Sequence, residues 1–592
     1  MTDNRLPWFK KPAPLAAAAI VATGLPLPSL ANGPATTTPI KHVIVIFQEN
    51  VSFDHYFATY PFAANPRGEP RFEAVPGTPA VNGLLTGPAA PPNNPTLADP
   101  KFPTATGTVQ PFRLGRDQAT TCDMDHNYTD EQAAYHAGQM DLVLQKLSSV
   151  AANCAPDKST VMGYFDGNTV TALWNYAQHF AMSDNFFNTT YGPSTPGAIN
   201  LISGITYGVL DKNTLMPTLP DSKVPNAPGI DQTTGLPGHR DVTVAGSNLS
   251  GNTGGGSIVG DPRPKGDDCN PLGSTQVEIT VPSRNVGDLL NTKNVTWGWF
   301  QGGFAAITRA ADGTAACSSI HRASDGTVKQ DYIGHHQPFN YFPSTQNLHH
   351  LSPSSPAMVG HTDQANHQYD LSDLFTIESV SGADSRTYDI AGFKPGVTLP
   401  AVTYIKAPGF MDGHAQYSDP LLEQRFLVQL INVVMKSKYW KDTAIFITYD
   451  DSDGWYDHVY PPLTNPSALS APPNSSDQLT APGQCGVPVA GAVMGRCGYG
   501  PRLPLLVISP HARRNYVDHT VADQSAILRF IEDNFKLGRI DPQSAPKSVA
   551  QGGSYDQIAG SLDSLFDFDR EFDRDDARVL LLDPDTGERV HY

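Results

Sequence analysis

The segment His42-Val43-Ile44-Val45-Ile46-Phe47 is apolar at almost every position, with no alternation of hydrophobic and polar residues. Such a run predicts a strand covered on both faces, as in a parallel sheet. Residues 401–405, 444–449 and 505–508 repeat the pattern. Helical spacing lies between the runs: Phe426, Leu427, Leu430, Ile431 and Val434 recur at three and four residues. Thr520 and Asp523 read as a capping box ahead of Ile527, Phe530 and Ile531. This alternation predicts an α/β fold with a central, mostly parallel sheet flanked by helices.

Other stretches read as loops. Residues 60–115 are rich in proline, alanine and glycine, and the span 205–330 includes Gly251-Asn252-Thr253-Gly254-Gly255-Gly256. Their position between core segments predicts insertions into one catalytic domain, residues 32–592. Arg5, Lys10 and Lys11 precede an uncharged, alanine-rich stretch, and Ser29 and Ala31 fit small-residue cleavage. Residues 1–31 therefore read as a secretory signal peptide, with a periplasmic or secreted location and no transmembrane segment. The six cysteines permit three disulfides in fifteen pairings, and Cys485 and Cys497 are spaced to close a short loop.

The chain of 592 residues has a formal charge of -18. That argues against a nucleic-acid partner, because neutralising a phosphate backbone takes clustered positive charge. A phosphate ester stays open as a substrate, since a bound cation reverses the local field of an acidic protein.

Polar residues collect at the ends of the apolar runs. The first ends in Gln48-Glu49-Asn50, the third in Asp450-Asp451-Ser452-Asp453-Gly454. Ligands of parallel α/β sheets sit beyond the carboxyl ends of the strands, and carboxylate and amide oxygens suit a divalent metal. Adjacent Asp450 and Asp451 repel each other unless a cation compensates, whereas Asp453 reads as the start of a turn. In Tyr191-Gly192-Pro193-Ser194-Thr195-Pro196-Gly197, prolines frame two hydroxyls at the start of a helical stretch, making Ser194 or Thr195 a candidate nucleophile. Among 18 histidines, His126, His335, His336 and His414 stand beside acidic or turn residues. Neither histidine pair has the spacing of a zinc-protease helix.

Several of these segments, in order, resemble the bacterial phosphoesterase family of secreted acid phosphatases and type C phospholipases. The matching pieces are residues 42–60 (HVIVIFQENVSFDHYFATY), 191–204, 332–373 (with HHQPFNYF and GHTDQANHQYDLSD), Asp412-Gly413-His414, 447–459 (ITYDDSDGWYDHV) and 504–535. The resemblance implies an alkaline-phosphatase-like core and one divalent metal ion of uncertain identity. It implies Glu49, Asn50, Ser194, Asp450 and Asp451 as metal ligands, Ser194 as nucleophile, and His126, His336 and His414 beside the phosphoryl group. His336 or His414 would protonate the leaving group, with His335 orienting its neighbour. Val51 stands where many relatives carry arginine. Ser194-Thr195-Pro196-Gly197 resembles the acid phosphatase branch more than the phospholipase branch. The expected function is a metal-dependent acid phosphatase acting on small phosphate monoesters through a phosphoserine. The alternatives are a phospholipase C releasing a phosphorylated headgroup and a non-catalytic secreted binding protein on a hydrolase fold.

Overall fold

The computed structural model describes residues 35–85, 103–104, 107–148, 158–211, 244–245, 256–270, 277–317, 319–322, 326, 328–465, 493, 495–541, 547–569 and 578–590. Residues 1–31 and the glycine-rich stretch 251–255 lie outside them.

The four apolar runs form neighbouring strands of one eight-stranded sheet. In chain order the strands are β1 (His42–Gln48), β2 (Ala181–Ser183), β3 (Trp297–Gln301), β4 (Gln368–Asp370), β5 (Val402–Lys406), β6 (Thr443–Tyr449), β7 (Leu505–Ile508) and β8 (Tyr516–Asp518). Across the sheet they run β4-β3-β5-β1-β6-β7-β2-β8, and β7 runs antiparallel to both of its neighbours. The other pairings are parallel. Central β1 and β6 are buried along nearly their whole length, which explains why their sequences lack alternation. Each large side chain so buried contributes about 1.5–3 kcal/mol of transfer free energy.

Helices close both the core and the site. Helix α1 spans Tyr128–Tyr135, α2 Ser194–Ile202, α3 Pro420–Met435 and α4 Gln524–Asn534. Asp419 caps α3 by accepting from the amides of Leu421 and Leu422 at 2.9 Å, with Pro420 in the first turn. The predicted stripe of Phe426, Leu427, Leu430, Ile431 and Val434 is the buried face.

Two expectations are corrected. Helix α4 takes Asp523 as its N-cap, while the Thr520 hydroxyl bonds Asp518 at 3.3 Å, so the Thr520 capping box does not form. Strand β3, with its Trp297-Gly298-Trp299-Phe300 run, lies inside the span 205–330 assigned to an insertion, which therefore contains core as well as loop. Of the cysteines, Cys269 and Cys317 pair, and Cys122 and Cys497 are also disulfide-bonded; Cys485 lies outside the described residues.

A buried ionic network ties the loops after β1 and β6 to the entry of β7. The Arg502 guanidinium donates to Asp54 at 3.0 Å and to Asp457 at 3.0–3.2 Å, and its carbonyl accepts from the amide of Phe53 at 2.8 Å. His458 donates through its amide to Asp54 at 2.8 Å, and its Nδ1 lies 2.6 Å from the same carboxylate. Arg502→Met leaves two carboxylates buried without that counter-ion and is expected to cost about 3–5 kcal/mol, read from the urea unfolding midpoint.

Burial alone would raise Asp54, but His458 and Arg502 outweigh it and hold it below its usual value. Burial would lower His458, but Asp54 outweighs it and holds it above. The pair's contribution is therefore lost when acid passes the depressed Asp54 value and when alkali passes the raised His458 value. The Tm gap between wild type and His458→Asn is expected to be widest near pH 5–6 and to close well above about pH 6.5. A gap unchanged from pH 5 to 9 would refute this.

Candidate functional site

Strands β1, β5 and β6 lie side by side and parallel, so their carboxyl ends open on the same edge of the sheet. Gln48 pairs with Tyr449, which sets Glu49 beside Asp450 one residue further on. The chain cannot continue straight there. Asn50 turns with φ of 60° and Asp453 with 52°, both in the left-handed region that asparagine and aspartate tolerate better than most residues.

The turns are pinned to each other. The Asn50 amide donates to Asp450 Oδ1 at 2.9 Å, and Asn50 Nδ2 donates to Asp453 Oδ1 at 3.0 Å. The Val51 amide donates to the carbonyl of Asp451 at 2.9 Å.

Ser194 opens α2 and projects between the two turns. Its hydroxyl lies 3.2 Å from Glu49 Oε2 and 3.1 Å from Asp451 Oδ2. Thr195, the other candidate, is committed elsewhere: its amide and its hydroxyl both donate to Asp261 at 2.9 Å. Gly197 lets the helix approach the loop closely, since a Cβ there would fall 2.0 Å from the carbonyl oxygen of Asp450.

The centre is buried and acidic. Burial first, and then Asp450, push Glu49 well above the usual carboxylate range. Burial and Asp450 likewise raise Asp451 against the opposing pull of His126. Asn50 Oδ1 is buried with no hydrogen-bond partner, in a ring of oxygen donors. Glu49, Asn50, Ser194, Asp450 and Asp451 thus offer the oxygen chemistry that a hard divalent cation takes, which would satisfy the orphaned amide oxygen, while Glu49, His336 and Asp412 bring ligand atoms within 4.8 Å of one another.

The three histidines also converge. His336 Nδ1 lies 3.2 Å from Glu49 Oε1, while its Nε2 is buried without a partner. His335 packs edge-on against it, ring centroids 4.4 Å apart. His414 Nδ1 is bonded to the carbonyl of Ala415 at 2.7 Å, which leaves Nε2 as its available nitrogen. His126 lies edge-on to His414 at 6.5 Å, with Nδ1 3.5 Å from Asp453. Burial lowers His414 to about 4 and, with His335 and Lys406, lowers His336 as well. Burial would lower His126 too, but Asp451 and Asp453 outweigh it and hold it well above its ordinary value. His350 and His367 are engaged elsewhere, on Asp267 and on the carbonyl of Trp297.

The phosphoesterase family model matches residues 40–538. The chain belongs to the phosphoesterase family.

Similar proteins include a non-hemolytic phospholipase C from Burkholderia pseudomallei, 24% identical over 543 residues, which covers 90% of this chain and 60% of that protein. A non-hemolytic phospholipase C from Pseudomonas aeruginosa is 29% identical over 175 residues, 29% of this chain and 24% of that protein. This phosphoesterase thus spans less than two thirds of the length of these relatives. A solved structure of a protein in the alkaline phosphatase superfamily from Vibrio parahaemolyticus covers 66% of this chain and 67% of its own, at 10% identity and a TM-score of 0.26.

Four residues of the site escaped the sequence reading. Lys406, at the end of β5, is buried with its ammonium on Glu49 Oε1 and 4.0 Å from Asp450 Oδ2. Burial would lower it, but Glu49, Asp450 and Asp412 outweigh burial and keep it charged. Its signal was available: a lysine ends an apolar run beside two runs that end in acids. Asp412 has Oδ2 buried with no hydrogen bond, 4.0 Å from His336 Nδ1, and is pushed up to about 7 by burial. Asp453 starts a turn as predicted but also faces Asn50 and His126. Glu131 bonds the amide of Gly192 and the hydroxyl of Ser452.

Gly197→Ala must displace either α2 or the Asp450 loop, with backbone on both sides of the contact. It is expected to weaken Mn2+ binding in calorimetry by at least about tenfold, as loss of a ligand does. Asn50→Ala should do the same, with a fall in Tm of its own, because alanine loses the bond to Asp453 and adopts a φ of 60° less readily than asparagine. Wild-type affinity in both variants would contradict the ligand set.

Proposed function

We propose that this phosphoesterase is a metal-dependent phosphoric ester hydrolase that prefers small monoesters and passes through a phosphoserine at Ser194. The observation that carries the reading is the Ser194 hydroxyl, 3.2 and 3.1 Å from two carboxylates whose turns also present an unsatisfied amide oxygen. A divalent ion bound by Glu49, Asn50, Ser194, Asp450 and Asp451 would supply a lowered hydroxyl pKa and neutralise phosphate charge.

The side chains divide the remaining work. Ser194 Oγ attacks phosphorus in line, its proton passing to the carboxylate side of the site, where Asp451 Oδ2 and Glu49 Oε2 accept from it. His336, with Nε2 buried and unbonded, or His414, with Nδ1 already bonded and Nε2 left over, suits proton donation to the departing alkoxide. His126, 3.5 Å from Asp453 and edge-on to His414, suits orienting the phosphoryl group or a water. Water then attacks the phosphoserine, releasing phosphate and restoring the hydroxyl.

A second reading, hydrolysis of a phospholipid to a phosphorylated headgroup, is favoured by the names of the relatives from Burkholderia and Pseudomonas. The same nucleophile would serve both, so the leaving group alone separates them.

Mass spectrometry of an acid-quenched reaction is expected to find phosphate on the peptide containing Ser194, and Ser194→Ala to lose at least about 10³-fold in kcat. Near-normal turnover in that variant would sink the mechanism. Faster hydrolysis of p-nitrophenylphosphorylcholine than of p-nitrophenyl phosphate would replace the monoester preference with the phospholipase reading.

A further inference from the structure

We propose that Glu131 is a positioning residue that fixes the separation between the Ser194 turn and the Asp450-Asp451 loop. The inference rests on the phosphoserine reading above and adds to it a residue that touches no proposed ligand atom. Glu131 lies on α1 with no solvent exposure. Its two oxygens reach different elements: Oε2 accepts from the amide of Gly192 at 2.8 Å, and Oε1 from the hydroxyl of Ser452 at 2.6 Å. Gly192 stands two residues before the nucleophile and Ser452 directly after Asp451. One carboxylate therefore spans the two segments that must converge on phosphorus.

Both contacts act on backbone with little freedom to compensate. Gly192 has φ of 113°, and a Cβ there would stand 3.3 Å from the carbonyl oxygen of Val259 and 3.4 Å from Tyr128. Ser452 also accepts from the amide of Gly454 at 3.0 Å, and a Cβ on Gly454 would fall 2.3 Å from the carbonyl oxygen of Asp125, the neighbour of His126. The Glu131 bonds thus tie the nucleophile turn to the Asp450-Asp451 loop, which at Gly454 packs closely on the backbone of Asp125.

Stability alone does not account for an acid here. A buried carboxylate is costly even when hydrogen-bonded, and a packed apolar side chain of similar volume usually serves a core as well or better. What it supplies is direction: two hydrogen bonds to segments 61 and 321 residues away along the chain. In-line attack is sensitive to such placement, an error of about 1 Å costing on the order of 10²-fold.

The test uses the full chain with Mn2+ and p-nitrophenyl phosphate. Glu131→Ala is expected to lower kcat by about 30–100-fold with KM changed less than about threefold. Glu131→Gln should recover to within about fivefold of wild type, its oxygen accepting from Gly192 and its amide donating to Ser452 Oγ. Combining Glu131→Ala with Ser452→Ala should add little further loss, because both cut the same bridge. Glu131→Ala turning over within about twofold of wild type would overturn the proposal, as would a glutamine variant no better than alanine. If Glu131→Ala fails to fold, Ser452→Ala decides alone, with unchanged kcat counting against the bridge. An active Ser194→Ala would refute the phosphoserine reading instead. Mn2+ affinity then tests Glu131 by itself: about tenfold weaker binding in Glu131→Ala supports the bridge, and unchanged binding overturns it.

Discussion

Buried negative charge at the carboxyl edge of β1, β5 and β6 is the constraint around which this phosphoesterase is arranged. Glu49, Asp412, Asp450, Asp451 and Asp453 are each almost or wholly excluded from water. Carboxylates packed together at low dielectric repel one another strongly, and burial penalises each charge separately. The fold answers with Lys406 on one side, His126 on the other, backbone amides donating to Asp450 and Asp451, and an oxygen-lined position suited to a divalent ion.

That arrangement also explains where the fold spends its conformational freedom. Left-handed turns at Asn50 and Asp453 swing side chains inward immediately after straight, buried strands. Gly197 and Gly454 permit backbone contacts that any side chain would block. Behind these turns, the Arg502 network and Glu131 fasten the loops to helices and strands, so the side chains of the candidate site are held by rigid elements.

Similarity and geometry bear on different questions. The family match spans most of the chain, and a relative named phospholipase C is similar to it over 90% of its length. The proposed chemistry is on phosphorus, which monoesters and phospholipids have in common. Discrimination between them belongs to whatever would surround the leaving group; beside His414, Lys329 lies 3.5 Å over the ring of Tyr417, which in turn stacks on His414.

The sequence by itself determined the strands nearest the site and the polar pairs at their ends. Burial on both faces leaves an unbroken apolar run, and a strand must end where such a run meets Glu49-Asn50 or Asp450-Asp451. Shorter strands such as Ala181–Ser183 and Gln368–Asp370 carry too few residues for periodicity to register. The choice of Ser194 over Thr195, already implied by family resemblance, acquired its physical basis only in three dimensions, where Asp261 claims Thr195. Lys406 and Glu131 belong to the same class. Their partners lie 357 residues away for Lys406 and 61 and 321 for Glu131. Local pattern records what a residue's neighbours along the chain require, whereas charge compensation and loop spacing are settled between segments that meet only when the sheet assembles.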